Sequence, residues 1–100
     1  MPMPRQIDPQ KPTAVITVVG KDRVGIIAAV ARLLADESVN INDISQTILQ
    51  DIFTMIMLVD LSQMKIDIKT LAEKLEQKGS DLGISIRIQH SDIFNAMHRI

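Results

Sequence analysis

Two segments of this chain, "TAVITVV" at residues 13–19 and "IFTMIMLVDL" at residues 52–61, carry large apolar side chains on both of their alternating faces. In the first, Val15 and Val19 oppose Ile16 and Val18; in the second, Phe53, Met55, Met57 and Val59 oppose Ile52, Ile56 and Leu58. A strand of this kind has to be covered on both sides, whereas a half-exposed edge strand alternates or carries polar residues. The chain therefore needs a sheet with these two segments at its centre, and the remaining segments must supply edges and cover.

They divide accordingly. From Ile27 the apolar spacing becomes helical, with Ile27, Val30, Ala31 and Leu34 forming a stripe flanked by Ile26 and Leu33. "VNINDISQTILQ" returns to strand-like composition and, with a turn at Asp51, makes a hairpin with the segment from Ile52 to Leu61. A second helix is expected from about Ile68 to Lys78, capped by Asp67, striped by Ile68, Leu71, Ala72 and Leu75, and stopped by Gly79 in a left-handed conformation. "ISIRIQH" is the last strand, with Ile84, Ile86 and Ile88 on one face. The tail "SDIFNAMHRI" suits a short C-terminal helix capped by Ser91 or Asp92.

The resulting order, βαββαβ, is the split arrangement of an α+β ferredoxin-like two-layer sandwich, with a four-stranded antiparallel sheet whose first and third strands are central. Two helices cover only one face of such a sheet. The apolar residues of the other face need cover as well, which Ile93, Phe94 and Met97 supply in part and a second copy of the chain supplies for the remainder. A homodimer is expected.

One hundred residues, 46% of them hydrophobic, make one such domain and no more. The expected division is a Pro-rich flexible leader over 1–12, the domain over 13–91 and a helical tail over 92–100. Eleven basic against twelve acidic side chains leave no footprint for a phosphate backbone or an anionic membrane, so neither nucleic acid nor membrane is an expected partner. No apolar run approaches a membrane span or a signal peptide, and a cytoplasmic address is expected. There is no cysteine, and His90 and His98 stand apart from any acidic cluster. No metal, cofactor or thiol chemistry is expected.

The one stretch suited to a ligand is "VVGKDRVGIIAAV", residues 18–30, where the first strand meets the first helix. Amides of a first helical turn have no partner within the helix and sit at the positive end of its dipole, so they suit a carboxylate or phosphate. Gly20 and Gly25 permit close approach, and alternatively Gly20 takes a positive φ at the strand end while Gly25 allows helices to pack closely. Asp22 is placed to cap the helix, to accept a ligand ammonium group, or both. Arg23 forms a surface ion pair or contacts an anion. Gly20 and Gly25 have the spacing of a phosphate-binding P-loop, but Ile26 and Ile27 stand in place of its lysine and hydroxyl residue.

The run "VVGKDRVGIIAAVARLLADESVNINDISQT", with its "GxDRxGI" form followed by "VNI.D", resembles the opening of ACT domains, the small-molecule-sensing modules of amino-acid metabolism. It is similar to the ACT domains of the glycine-cleavage repressor and formyltetrahydrofolate deformylase, and the likeness extends over about residues 12 to 98. The resemblance implies a ferredoxin-like fold, paired domains, and an amino acid or similar metabolite bound at a domain interface near the first strand-helix loop. The contacting positions it implies are Gly20, Lys21, Asp22, Arg23, Val24, Gly25 and Ile26, together with Asn40 of "VNI". Val24 departs from the proline that many members carry, and Gly20 offers only backbone. The expected function is non-enzymatic: a regulatory module that senses a small metabolite and signals to a partner protein. The alternatives are an interaction module with a vestigial pocket and a small acylphosphatase-like hydrolase, the latter opposed by the acidic Asp22.

Overall fold

A computed structural model describes residues 12–21 and 25–90. The leader over residues 1–11, the loop residues Asp22, Arg23 and Val24, and the expected C-terminal helix over 92–100 lie outside the described residues. The elements follow the expected order: β1 Thr13–Lys21, α1 Ile26–Asp36, β2 Asn40–Leu49, β3 Ile52–Asp60, α2 Ile68–Leu82 and β4 Ser85–His90. They form one antiparallel sheet in the order β2-β3-β1-β4, with the doubly apolar β1 and β3 at its centre.

Alternation along the central strands assigns their faces. Ala14, Ile16 and Val18 of β1 and Phe53, Met55, Met57 and Val59 of β3 point to the helix layer and are buried. There they meet Ile26, Val30 and Leu34 of α1 and Leu71 and Leu75 of α2. Fully burying an aliphatic side chain such as Leu71 or Leu75 contributes about 1.5–3 kcal/mol, so this layer carries most of the hydrophobic stabilisation. The other face has the expected uncovered apolar residues at one end, where Val19, Ile52 and Ile56 are exposed, while Val15 is buried. Among the described residues no helix is long and apolar enough to cross a membrane.

Three local expectations are corrected. The buried stripe of α1 runs through Ile26, Val30 and Leu34, and Ile27 is turned outward. Two adjacent isoleucines offer two phases for the same stripe, and the start of the helix selects between them. The second helix runs past Gly79 to Leu82, and the left-handed stop is Gly83 at φ 71°. Gly79 is a buried residue inside that helix. Asp67 does cap α2, its carboxylate accepting from the Thr70 backbone amide at 2.8 Å.

The two helices are tied together where α1 ends. Lys74 Nζ of α2 lies 3.1 Å from Glu37 Oε2, and the Glu37 carbonyl accepts from the Lys65 amide at 3.1 Å. These contacts hold the β3–α2 connection against the end of the sheet where β2 begins.

Candidate ligand-binding site

The junction of β1 and α1 is built around two glycines that are needed for different reasons. Gly20 lies within β1, paired with Phe53 of β3, and a Cβ placed on it would come within 2.8 Å of Ile84 Cβ. Gly25 has nothing within 4 Å of such an atom, but its φ of 93° is one that side-chain-bearing residues rarely adopt. The roles expected from the sequence are thus exchanged: Gly20 serves close packing and Gly25 serves the positive φ.

Gly25 also occupies the N-cap of α1, and the Ala29 amide closes the first turn on its carbonyl at 2.9 Å. The capping position expected for Asp22 is therefore displaced to a residue with no side chain. Asp22 itself lies outside the described residues, as do Arg23 and Val24. With no side chain at the cap to accept from them, the first-turn amides of α1 depend on partners from elsewhere. Ile26 is 2% exposed, so its side chain belongs to the core and its amide alone faces the junction.

Asn40 lies at the other end of the molecule. It pairs with Asp60, which pairs with Thr13, whereas Gly20 pairs with Phe53 and through it aligns with Ile48. At about 3.3 Å per strand residue, the two rows are roughly 23 Å apart. The Asn40 Nδ2 donates to Asn42 Oδ1 at 2.7 Å, beside a register shift between Ile41 and Asp43. One copy of the chain therefore brings Gly20, Lys21, Gly25 and Ile26 together and leaves Asn40 apart from them.

Beyond the uncovered face that the sequence led us to expect, strand β2 adds apolar surface beside the loop that sequence reasoning did not anticipate. Val19, Leu49 and Ile52 are 40%, 73% and 50% exposed on the uncovered face, and Ile48 is 54% exposed on the helix side, where Ile27 and Ile44 are also open to solvent. The signal was present in β2, whose stretch from Ile44 to Leu49 has no charged residue. Among the described residues, cavities of appreciable size lie elsewhere, two of them on α2. One, of about 370 Å³, runs between the helices past Arg32, Asp36, Glu37 and Lys74; the other, of about 390 Å³, lies between α2 and the start of β4. Among the described residues no group of His, Asp and Glu has the geometry to hold a metal ion.

A model of the ACT domain matches residues 12–89. The chain is 51% identical over 86 residues to the UPF0237 protein of Methanocaldococcus jannaschii, covering 86% of this chain and 96% of that protein. It is 54% identical over 87 residues to the UPF0237 protein of Clostridium acetobutylicum, covering 87% and 98%. Among solved structures it is similar to an ACT domain protein from Streptococcus pneumoniae, with a TM-score of 0.74, 44% identity, and coverage of 83% of this chain and 93% of that one. A putative glycine cleavage system transcriptional repressor matches at a TM-score of 0.69 and 28% identity, covering 81% of this chain and 46% of the repressor.

Proposed function

The chain belongs to the ACT domain family, and from that premise we propose that it is a regulatory module that binds a free amino acid or similar small metabolite and passes the signal to a partner protein. The observation that carries this reading is the start of α1. Gly25 at the N-cap has no side chain to accept from the first-turn amides, which sit at the positive end of a helix dipole. In this reading a ligand carboxylate satisfies those amides, and Asp22, three positions before Gly25 in the sequence, is the acceptor for its ammonium group. Gly20, Lys21, Arg23, Val24 and the Ile26 backbone complete the loop.

Asn40 enters this reading only through a second copy, because its own loop is roughly 23 Å away along the sheet. The ligand therefore sits where two copies of a homodimer meet.

Thermal unfolding in the presence of each of the twenty amino acids tests the proposal. A ligand at about a hundredfold excess over its Kd stabilises by about 2.7 kcal/mol, a rise on the order of 10 °C for a domain of this size. The expected result is such a rise with one or a few amino acids, lost in Asp22→Ala. No rise with any of them would favour the interaction module, for which the exposed Ile48, Leu49 and Ile52 supply a surface.

A further inference from the structure

We propose that residues 91–100 fold back across the uncovered face of the sheet and dock, as a short amphipathic helix, on Thr13, Val15 and Leu58. That face is sealed at one end and open at the other. Thr13 and Val15 point away from the helix layer, yet they are only 6% and 5% exposed in a single copy of the chain. Leu58, which pairs with Val15, is half-buried, whereas Val19, Ile52 and Ile56 farther along are open to solvent. No described element accounts for the sealed end. Both helices pack on the opposite face, and the β3–α2 connection follows them, with Met64 and Ile66 against the same core.

The tail starts where the cover is needed. Strand β4 ends at His90, which pairs with Ala14 between the two buried residues. From there the apolar residues fall at 93, 94, 97 and 100, the spacing of one helical face. A helix from Asp92 to Ile100 is about 13 Å long, and neighbouring strands lie about 4.8 Å apart. Leaving β4 at right angles to the strands, it crosses β1 and β3 and ends over β2. Ile93 and Phe94 then lie over Val15, and Met97 over Leu58. The width matches as well. A helix with its side chains is about 10 Å across, roughly three residues of strand, so it seals Thr13 and Val15 and leaves Val19, about 13 Å beyond Val15, uncovered.

Charge favours the same orientation. Arg87 of β4 and Asp43 of β2 both belong to this face, since they pair with Thr17 and Leu58. The crossing brings Asp92 to the Arg87 side and Arg99 to the Asp43 side, with Asp92 at the positive end of the helix dipole and Arg99 at the negative end. The leader does not meet these conditions. It sets four prolines against Met1, Met3 and Ile7, and the Pro12 carbonyl accepts the Leu61 amide at 2.8 Å, which continues the β1–β3 pairing in line past the end of the sheet.

The chain has no cysteine, so one introduced thiol reports the cover. A buried thiol reacts only when its cover opens locally, and Val15→Cys is expected to react with a maleimide about tenfold faster once residues 91–100 are removed. Ile52→Cys, exposed already, should keep its rate. In the full chain a short bis-maleimide is expected to link Leu58→Cys to Met97→Cys within one molecule about tenfold more efficiently than Ile52→Cys to Met97→Cys. That comparison decides the matter even where the shortened chain fails to fold, and equal linking of the two pairs would overturn the proposal. Acceleration on removal of residues 1–11 in place of 91–100 would assign the cover to the leader and overturn it too. So would a Val15→Cys rate that falls with rising protein concentration, the mark of a second copy, or one left unchanged in a shortened chain that keeps its circular dichroism.

Discussion

The carbonyl oxygen of Ile84 occupies the space that a side chain on Gly79 would need. A Cβ at Gly79 would lie 2.8 Å from that oxygen, and the Gly79 carbonyl in turn accepts the Ile84 amide at 2.9 Å. Helix α2 and the start of β4 are therefore in backbone contact, with Gly83 at φ 71° making the reversal between them. Helix propensity alone would have Gly79→Ala gain about 1 kcal/mol. Overpacking against a backbone atom reverses that sign, and the substitution is expected to cost about 1–3 kcal/mol. Urea unfolding decides it: a variant more stable than the parent would show that β4 retreats from the helix at little cost.

The two glycines of the β1–α1 junction make a paired prediction. Asparagine tolerates the left-handed region better than alanine does, so Gly25→Asn is expected to retain more stability than Gly25→Ala. At Gly20 the obstacle is Ile84, and the larger side chain is the worse one, so Gly20→Asn is expected to fall below Gly20→Ala. Thermal midpoints of the four variants test the opposite rankings together. The same ranking at both positions would mean that one cause governs both.

Much of this architecture was legible because β1 and β3 need cover on both faces, a demand that few sheet orders meet. The phase of α1 was not legible, since Ile26 and Ile27 each begin an acceptable stripe and only the position of Gly25 at the cap chooses between them. The glycine that stops α2 was misplaced for a related reason. Gly79 and Gly83 both lie beyond the stripe of Ile68, Leu71 and Leu75, and what separates them is the approach of Ile84, a tertiary contact with no local signature. The candidate site was legible as a loop but not as a constellation. Helix α1 carries the chain back along the sheet before β2 begins, which is why Asn40, close to the loop in sequence, starts its strand at the far end.

Among the described residues, two other than glycine hold positive φ, Ser38 at 61° after α1 and Gln50 at 58° in the β2–β3 turn. The left-handed conformation costs a residue with a Cβ roughly 1–2 kcal/mol, part of which glycine repays through its freer unfolded chain. Ser38→Gly and Gln50→Gly are each expected to stabilise by about 0.5–1 kcal/mol. Because the two sites lie at opposite ends of β2, the double variant should show the sum within about 0.5 kcal/mol. Denaturant midpoints with unchanged m-values would bear this out, and a loss at either site would show that its side chain contributes more than its backbone costs.

Asp67 provides a pH-dependent prediction. The Thr70 hydroxyl and then the Thr70 backbone amide favour the ionised carboxylate, holding its pKa below the ordinary value of 3.8. A group whose folded pKa is depressed contributes stability above its unfolded pKa and loses that contribution as pH falls through the folded value. Asp67→Asn keeps a capping oxygen and removes the charge. The parent is therefore expected to unfold at a higher temperature than Asp67→Asn at neutral pH, with the gap closing progressively below pH 3.8. Added salt should also narrow the gap at neutral pH, since the group is at the surface and its interaction with Lys69 is screened. A gap that held constant from neutral pH down to full protonation would assign the difference to cap geometry and remove the charge from the account.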